Sequence, residues 1–89
     1  MITLQYSSQY LTERKKFLKN NKNLLNQTVK CLKQFSTNPQ HPSLNLEKLS
    51  GSKIWTIRID RSNRIFLHYI DENTALLIDI GKHDKYRKY

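Results

Sequence analysis

The apolar residues of this chain change their spacing once, and that switch limits the fold more than any other feature. Between Tyr10 and Phe35 they recur three and four apart, whereas from Ile54 onward they alternate. A 3.6-residue period buries one stripe of a helix and a two-residue period buries one face of a strand, so helices precede a run of strands. Tyr10, Leu11, Arg14, Phe17 and Leu18 mark a first helix that Ser7 or Ser8 can cap, and the Asn20-Asn21 pair interrupts it. Leu24, Leu25, Thr28, Val29, Leu32 and Phe35 mark a second, which ends before Pro39 and Pro42. Two short helices joined by a polar turn predict an antiparallel helical hairpin. Cys31 falls beside the second stripe as a half-buried thiol, with nothing near it to lower its pKa.

In the second half, residues 54–59, 64–70 and 75–80 each read as a strand, separated by the turn-forming stretches 60–63 and 71–74. Trp55, Ile57 and Ile59 share one face and Arg58 takes the other. The last run is apolar on both sides and belongs inside the sheet. Ahead of the helices, Ile2, Leu4 and Tyr6 alternate with Thr3 and Gln5, which predicts a short strand with one buried face. The order β-α-α-β-β-β is an α+β fold, a helical hairpin packed on an antiparallel sheet.

Several function classes drop out. A chain of 89 residues has room for a single domain, over residues 1–89, with a core small enough to be marginal or to depend on a partner. No apolar run approaches the roughly 20 residues of a membrane span, and the start lacks a secretory layout, so the expected location is cytoplasmic. One cysteine excludes an internal disulfide, and three scattered histidines give no metal-ligand spacing. With two glycines, Gly51 and Gly81, there is no phosphate-cradling loop, so neither metal nor cofactor is expected.

What composition does supply is charge. Sixteen Lys and Arg against seven Asp and Glu leave a net charge of +9, which draws in polyanions. Lys15, Lys16, Lys19, Lys22, Lys30 and Lys33 fall on helices, where a solvated outer face explains them. Arg58, Arg61, Arg64, Lys82, Lys85, Arg87 and Lys88 fall on strands, turns and the tail. Arginine grips phosphate with a planar fork, and Tyr86 and Tyr89 interleave with the last cations as stacking rings do in RNA-binding surfaces.

The segment 46–51 (LEKLSG), the strand 54–59 (IWTIRI), Asn63-Arg64-Ile65 and the ending 79–86 (DIGKHDKY) occur in that order. Together they resemble the RelE/ParE superfamily of bacterial toxins, most of all its YoeB- and YafQ-like branch. The resemblance covers about half of the chain and implies the toxin of a type II toxin-antitoxin pair. It implies an endoribonuclease that cuts messenger RNA on the 70S ribosome, with the RNA's own 2′-hydroxyl as nucleophile. By that resemblance Glu47 is the base, Arg58 and Arg64 grip the phosphate, His83 is the general acid and Tyr86 orients the RNA. Histidine titrates near neutrality and suits the acid role without a large shift.

Their surroundings leave other readings open. Glu47 fits an exposed ion pair with Lys48, His83 a surface histidine in a basic tail, and Arg61 either a phosphate ligand or a solvated turn residue. Asp84 either orients His83 or forms a local turn, and the functional aromatic is Tyr86 or Tyr89. Trp55 reads as core, His68 as a sheet residue, and His41 as a loop residue that some relatives would employ. A non-enzymatic ParE-like inhibitor of DNA gyrase shares the fold without needing acid-base residues. The implied partner is an acidic, DNA-binding antitoxin in a hetero-oligomeric complex, with no membrane involved.

Overall fold

The computed structural model describes residues 1–89. Strand β1 (Thr3–Tyr6) leads into helices α1 (Ser8–Phe17) and α2 (Lys22–Thr37). A 3-10 turn (Pro42–Leu44) and the two-residue strand β2 (Glu47–Lys48) precede β3 (Ile54–Arg58), β4 (Asn63–Asp71) and β5 (Thr74–Lys82), and a second 3-10 turn spans His83–Lys88. The strands form one sheet in the order β1-β5-β4-β3-β2. The α+β class is as expected, and β5 lies inside the sheet between β1 and β4. Two features extend the expectation of an antiparallel sheet: β1 runs parallel to β5, and β2 adds a short strand at the opposite edge.

Local chemistry explains the helix boundaries. Ser7 caps α1, its Oγ accepting from the Tyr10 amide at 3.0 Å, and Asn21 caps α2 by accepting from Leu24 N at 3.0 Å. Asn20 turns the chain between them at φ +57°, a left-handed conformation that asparagine tolerates. The helices pack on the sheet, α1 against β5 and α2 against β3 and the first 3-10 turn.

The buried stripe of α2 consists of Leu24, Thr28, Cys31 and Phe35. Leu25 and Val29, expected inside, stand at its border at 43% exposure each, and Leu11 of α1 is likewise exposed. The stripe is narrower than the run of apolar residues because each step of 100° carries a neighbour off the line of contact. Cys31 is buried outright rather than half-buried. Its Sγ donates to the carbonyl of Arg58 at 3.3 Å, and burial pushes the thiol up to about 12. The folded chain is therefore expected to resist iodoacetamide at neutral pH and to label only when denatured. Prompt stoichiometric labelling of the native chain would contradict this.

Residues paired across a sheet share a face. Ile57, Ile65, Leu67, Leu77 and Ile80 face the helices and join Tyr10, Phe35 and Leu44 in the core. Trp55 packs against it, edge-on to Tyr69 at 5.7 Å. Thr56, Arg58, Arg64, Phe66 and His68 take the outer face. Along β5 the alternation slips once: Phe66 pairs with Asp79 while Leu67 pairs with Leu77, so Ile78 is an extra residue, a β-bulge. Beyond it Asp79 and Gly81 lie on the outer face and Ile80 returns to the core.

Candidate active site

Segments far apart in sequence converge on that outer face. Pairing sets Glu47 opposite Thr56, Arg58 opposite Arg64, and Arg64 opposite Gly81. The amide of His83 donates to the carbonyl of Ser62 at 2.8 Å, joining the last turn to the one that precedes Arg64. The result is a cleft of about 300 Å³ lined by Glu47, Leu49, Thr56, Arg64, His83 and Tyr86.

The two arginines are organised by Asp60. Its carboxylate accepts from the amides of Ser62 and Asn63, each at 2.9 Å, and from Asn63 Nδ2 at 3.0 Å. Burial opposes its ionisation, yet these bonds hold it below the ordinary carboxylate range. The turn so fixed offers the Asp60 carbonyl to both guanidinium groups, to Arg64 Nη1 at 2.7 Å and to Arg58 Nε at 3.3 Å. Arg64 Nη1 also donates to the carbonyls of Asn63 and Arg61, at 3.0 and 3.3 Å. Those three bonds use one nitrogen and leave the Nε and Nη2 edge without a partner. Burial, then the charge of Arg58, lowers the pKa of Arg64, while Glu47 and Asp60 raise it. Two like charges half-buried side by side form a site that an anion relieves.

On the cleft's other wall Glu47 is exposed and accepts from Asn45 Nδ2 at 2.8 Å, which orients it in place of an ion pair with Lys48. Asn45 itself takes φ +45° to reach it. His83 and Tyr86 approach from the last 3-10 turn, both exposed. A carboxylate, a guanidinium fork, an imidazole and a phenol around one cleft can accept a proton, hold a phosphate, donate a proton and stack a base.

Other expected residues lie elsewhere. Arg61, Lys82, Arg87 and Lys88 are exposed and do not line the cleft. Asp84 borders a neighbouring groove with Glu13, Lys82 and Lys85. The Nδ1 of His41 accepts from the amide of Ser43 at 3.1 Å, capping the first 3-10 turn away from the cleft. Lys85 is held in ion pairs with Glu13 and Asp79, each at 2.9 Å. Tyr89 rests on Phe66, ring centroids 5.5 Å apart, and donates to Asp79 Oδ2 at 2.7 Å. Of the two candidate tyrosines, Tyr86 is therefore the one at the cleft. Leu49, Thr56 and Asp60 went unrecognised as site-builders in the sequence. Asp79 carried a usable signal, a lone carboxylate inside an apolar strand, which demands a partner. No three His, Cys, Asp or Glu side chains are grouped to hold a metal ion, and no helix is long and apolar enough to cross a membrane.

No protein-family model and no curated protein matches the sequence. Solved structures do match. The YoeB-YefM complex from Staphylococcus aureus contains a chain 22% identical, with a TM-score of 0.72 over 93% of this chain and 98% of that one. The YoeB/ParE toxin from Agrobacterium tumefaciens is 13% identical, with a TM-score of 0.75 over 92% of this chain and 99% of that one. YafQ from E. coli strain BL21(DE3) is 12% identical, with a TM-score of 0.74 over 96% and 97%. At such identities the shared property is the fold, the one seen in these YoeB and YafQ structures.

Proposed function

We propose, from a chain with the fold of the YoeB and YafQ toxins, that this protein is the toxin of a toxin-antitoxin pair and cleaves messenger RNA on the ribosome. The observation that carries the proposal is the convergence of Glu47, Arg64, His83 and Tyr86 on one cleft, with Arg58 paired beside Arg64. In the reaction Glu47 takes the proton of the 2′-hydroxyl, whose oxygen attacks the adjacent phosphorus. The free edge of Arg64, with Arg58 behind it, neutralises the pentavalent phosphorane. His83 protonates the departing 5′-oxygen as the P–O5′ bond breaks. The products are a 2′,3′-cyclic phosphate and a 5′-hydroxyl, and each proton lost by one group is gained by another. Tyr86 stacks on a base and sets the register of the strand. The exposed cations Arg61, Lys82, Arg87 and Lys88 supply longer-range attraction to the ribosome and message.

His83→Ala is expected to slow cleavage of ribosome-bound message by about 10²–10⁴-fold, the usual worth of a positioned general acid. Mapping the ends of the cut message checks both rate and product. Undiminished cleavage by the variant, or 3′-hydroxyl ends from the wild type, would overturn the chemistry. Inhibition of gyrase supercoiling without RNA cleavage would favour the ParE-like alternative.

The partner in this reading is an acidic, DNA-binding antitoxin. Support comes from the +9 charge and from exposed Leu11, Leu25 and Val29, apolar surface that a wrapping segment would cover. The S. aureus neighbour is itself in complex with YefM. A neighbouring reading frame for a short acidic protein is the expected genetic context.

A further inference from the structure

The one carboxylate that is fully buried takes no part in the proposed chemistry. Asp79 is 0% exposed on the outer face, just past the bulge that turned it out of the core. Four donors reach it: Lys85 Nζ at 2.9 Å, Tyr89 Oη at 2.7 Å, Gln9 Nε2 at 3.2 Å and the amide of Ile80 at 2.9 Å. A buried charge is retained only where it is paired and fully hydrogen-bonded, and this one is. Two of the donors come from the segment that carries His83 and Tyr86. Lys85 Nζ also bonds Glu13 of α1 at 2.9 Å and the carbonyl of Ile80 at 3.0 Å, so all three of its protons are used. Burial works against the charged forms, but the bonds between them hold the pKa of Asp79 down and that of Lys85 up.

Gly81 completes the arrangement. A Cβ there would stand 2.7 Å from Cδ and 2.9 Å from Cε of Lys85, closer than real Cβ atoms come. A side chain here would force the Lys85 stem, held at its end by three bonds, to shift, and no left-handed turn is involved. The spacing of Asp79, Gly81, Lys85 and Tyr89 is thus one device: an anchor, a gap, a cation that passes through the gap, and a ring that closes over Phe66.

We infer that Asp79, Lys85, Glu13 and Tyr89 form a latch whose role is to position His83 and Tyr86 over Arg64 by clamping the 83–88 turn to β5 and α1. The inference deepens the nuclease reading and rests on it for its meaning. These four are positioning residues: none lines the cleft.

Lys85→Met keeps the stem and removes the cation, Gly81→Ala blocks its path, and Tyr89→Phe deletes one donor while keeping the ring on Phe66. Backbone 15N relaxation on each folded variant is the direct readout. In Lys85→Met and Gly81→Ala the order parameters of residues 83–88 are expected to fall from about 0.85 to below about 0.6, with β3 to β5 unchanged. Tyr89→Phe is expected to show a smaller loss in the same residues. Cleavage should lose about 10–100-fold in kcat because the acting His83 is displaced, with a smaller rise in KM as Tyr86 loses its fixed stacking position. The double variant of Gly81→Ala with Lys85→Met should be no worse than either alone. Rigid 83–88 residues in folded Lys85→Met would overturn the latch. Should that variant not fold, an unchanged turn in both Gly81→Ala and Tyr89→Phe would overturn it as well. Order parameters need no substrate, so a wild-type chain that cuts no RNA would overturn the nuclease reading and leave the latch to be decided by relaxation alone.

Discussion

Arg64→Ala is expected to lower cleavage of ribosome-bound message by about 10²–10³-fold, the cost of removing one preorganised donor from a transition-state charge. The size follows from how Arg64 is held. Three carbonyls fix Nη1, at 2.7, 3.0 and 3.3 Å, so the guanidinium plane is set in advance and, in the proposed mechanism, the Nε and Nη2 edge is left to grip two phosphate oxygens. Arg64→Lys should recover only part of the loss, since an ammonium offers a point charge in place of a fork. The fold should not suffer. Burial and the neighbouring Arg58 disfavour the charge on Arg64, while its three bonds to carbonyls are lost with the side chain, so the melting temperature is expected to change little. A variant that melts early, or one that cuts at the wild-type rate, would refute this account of the arginine pair.

Phe35→Ala is expected to cost about 3–5 kcal/mol of stability. Phe35 is 0% exposed in the core beneath α2, its ring 6.4 Å from that of Tyr69. Truncation removes the ring's transfer energy and leaves a cavity that a sheet on one side and a helix on the other cannot collapse to fill. Domains of this size hold about 5–15 kcal/mol in all, so the variant stands near the edge of folding. At roughly 4–8 °C per kcal/mol the melting temperature should fall by more than about 12 °C. A loss under about 1 kcal/mol by urea titration would mean that α2 is not held through this contact.

Helices and strands were legible because their signal is local. The spacing of Leu24, Thr28 and Phe35 and the alternation of Trp55, Ile57 and Ile59 are properties of short windows, and each element formed where its period placed it. The placement of Arg58 on the face opposite Trp55, Ile57 and Ile59 was legible for the same reason. What misled was width. Leu25 and Val29 belong to an apolar run in sequence but stand outside the contact line, because which third of a helix is covered depends on the sheet beneath it.

The tail shows the same division at the site. Sequence marked Lys85 and Tyr89 as phosphate or base ligands on charge and ring alone, but both are occupied by Asp79, 6 and 10 residues away in sequence. A cation cannot announce from its neighbours whether a carboxylate will reach it first. Gly81 likewise reads as a motif glycine; its reason is the stem of Lys85 passing across it.

By itself the sequence determined the period switch, the order of elements, the basic excess and the residue types available for acid-base work on a phosphate. Those are sums and local patterns, and they survive any arrangement of the chain. Tertiary structure decided which of these residues meet. The parallel pairing of β1, the bulge at Ile78 that turns Asp79 outward, and the clamp that brings Tyr86 rather than Tyr89 to the cleft all depend on register between distant strands. Register is set by hydrogen bonds that no local window contains, and a slip of one residue exchanges the two faces of a strand.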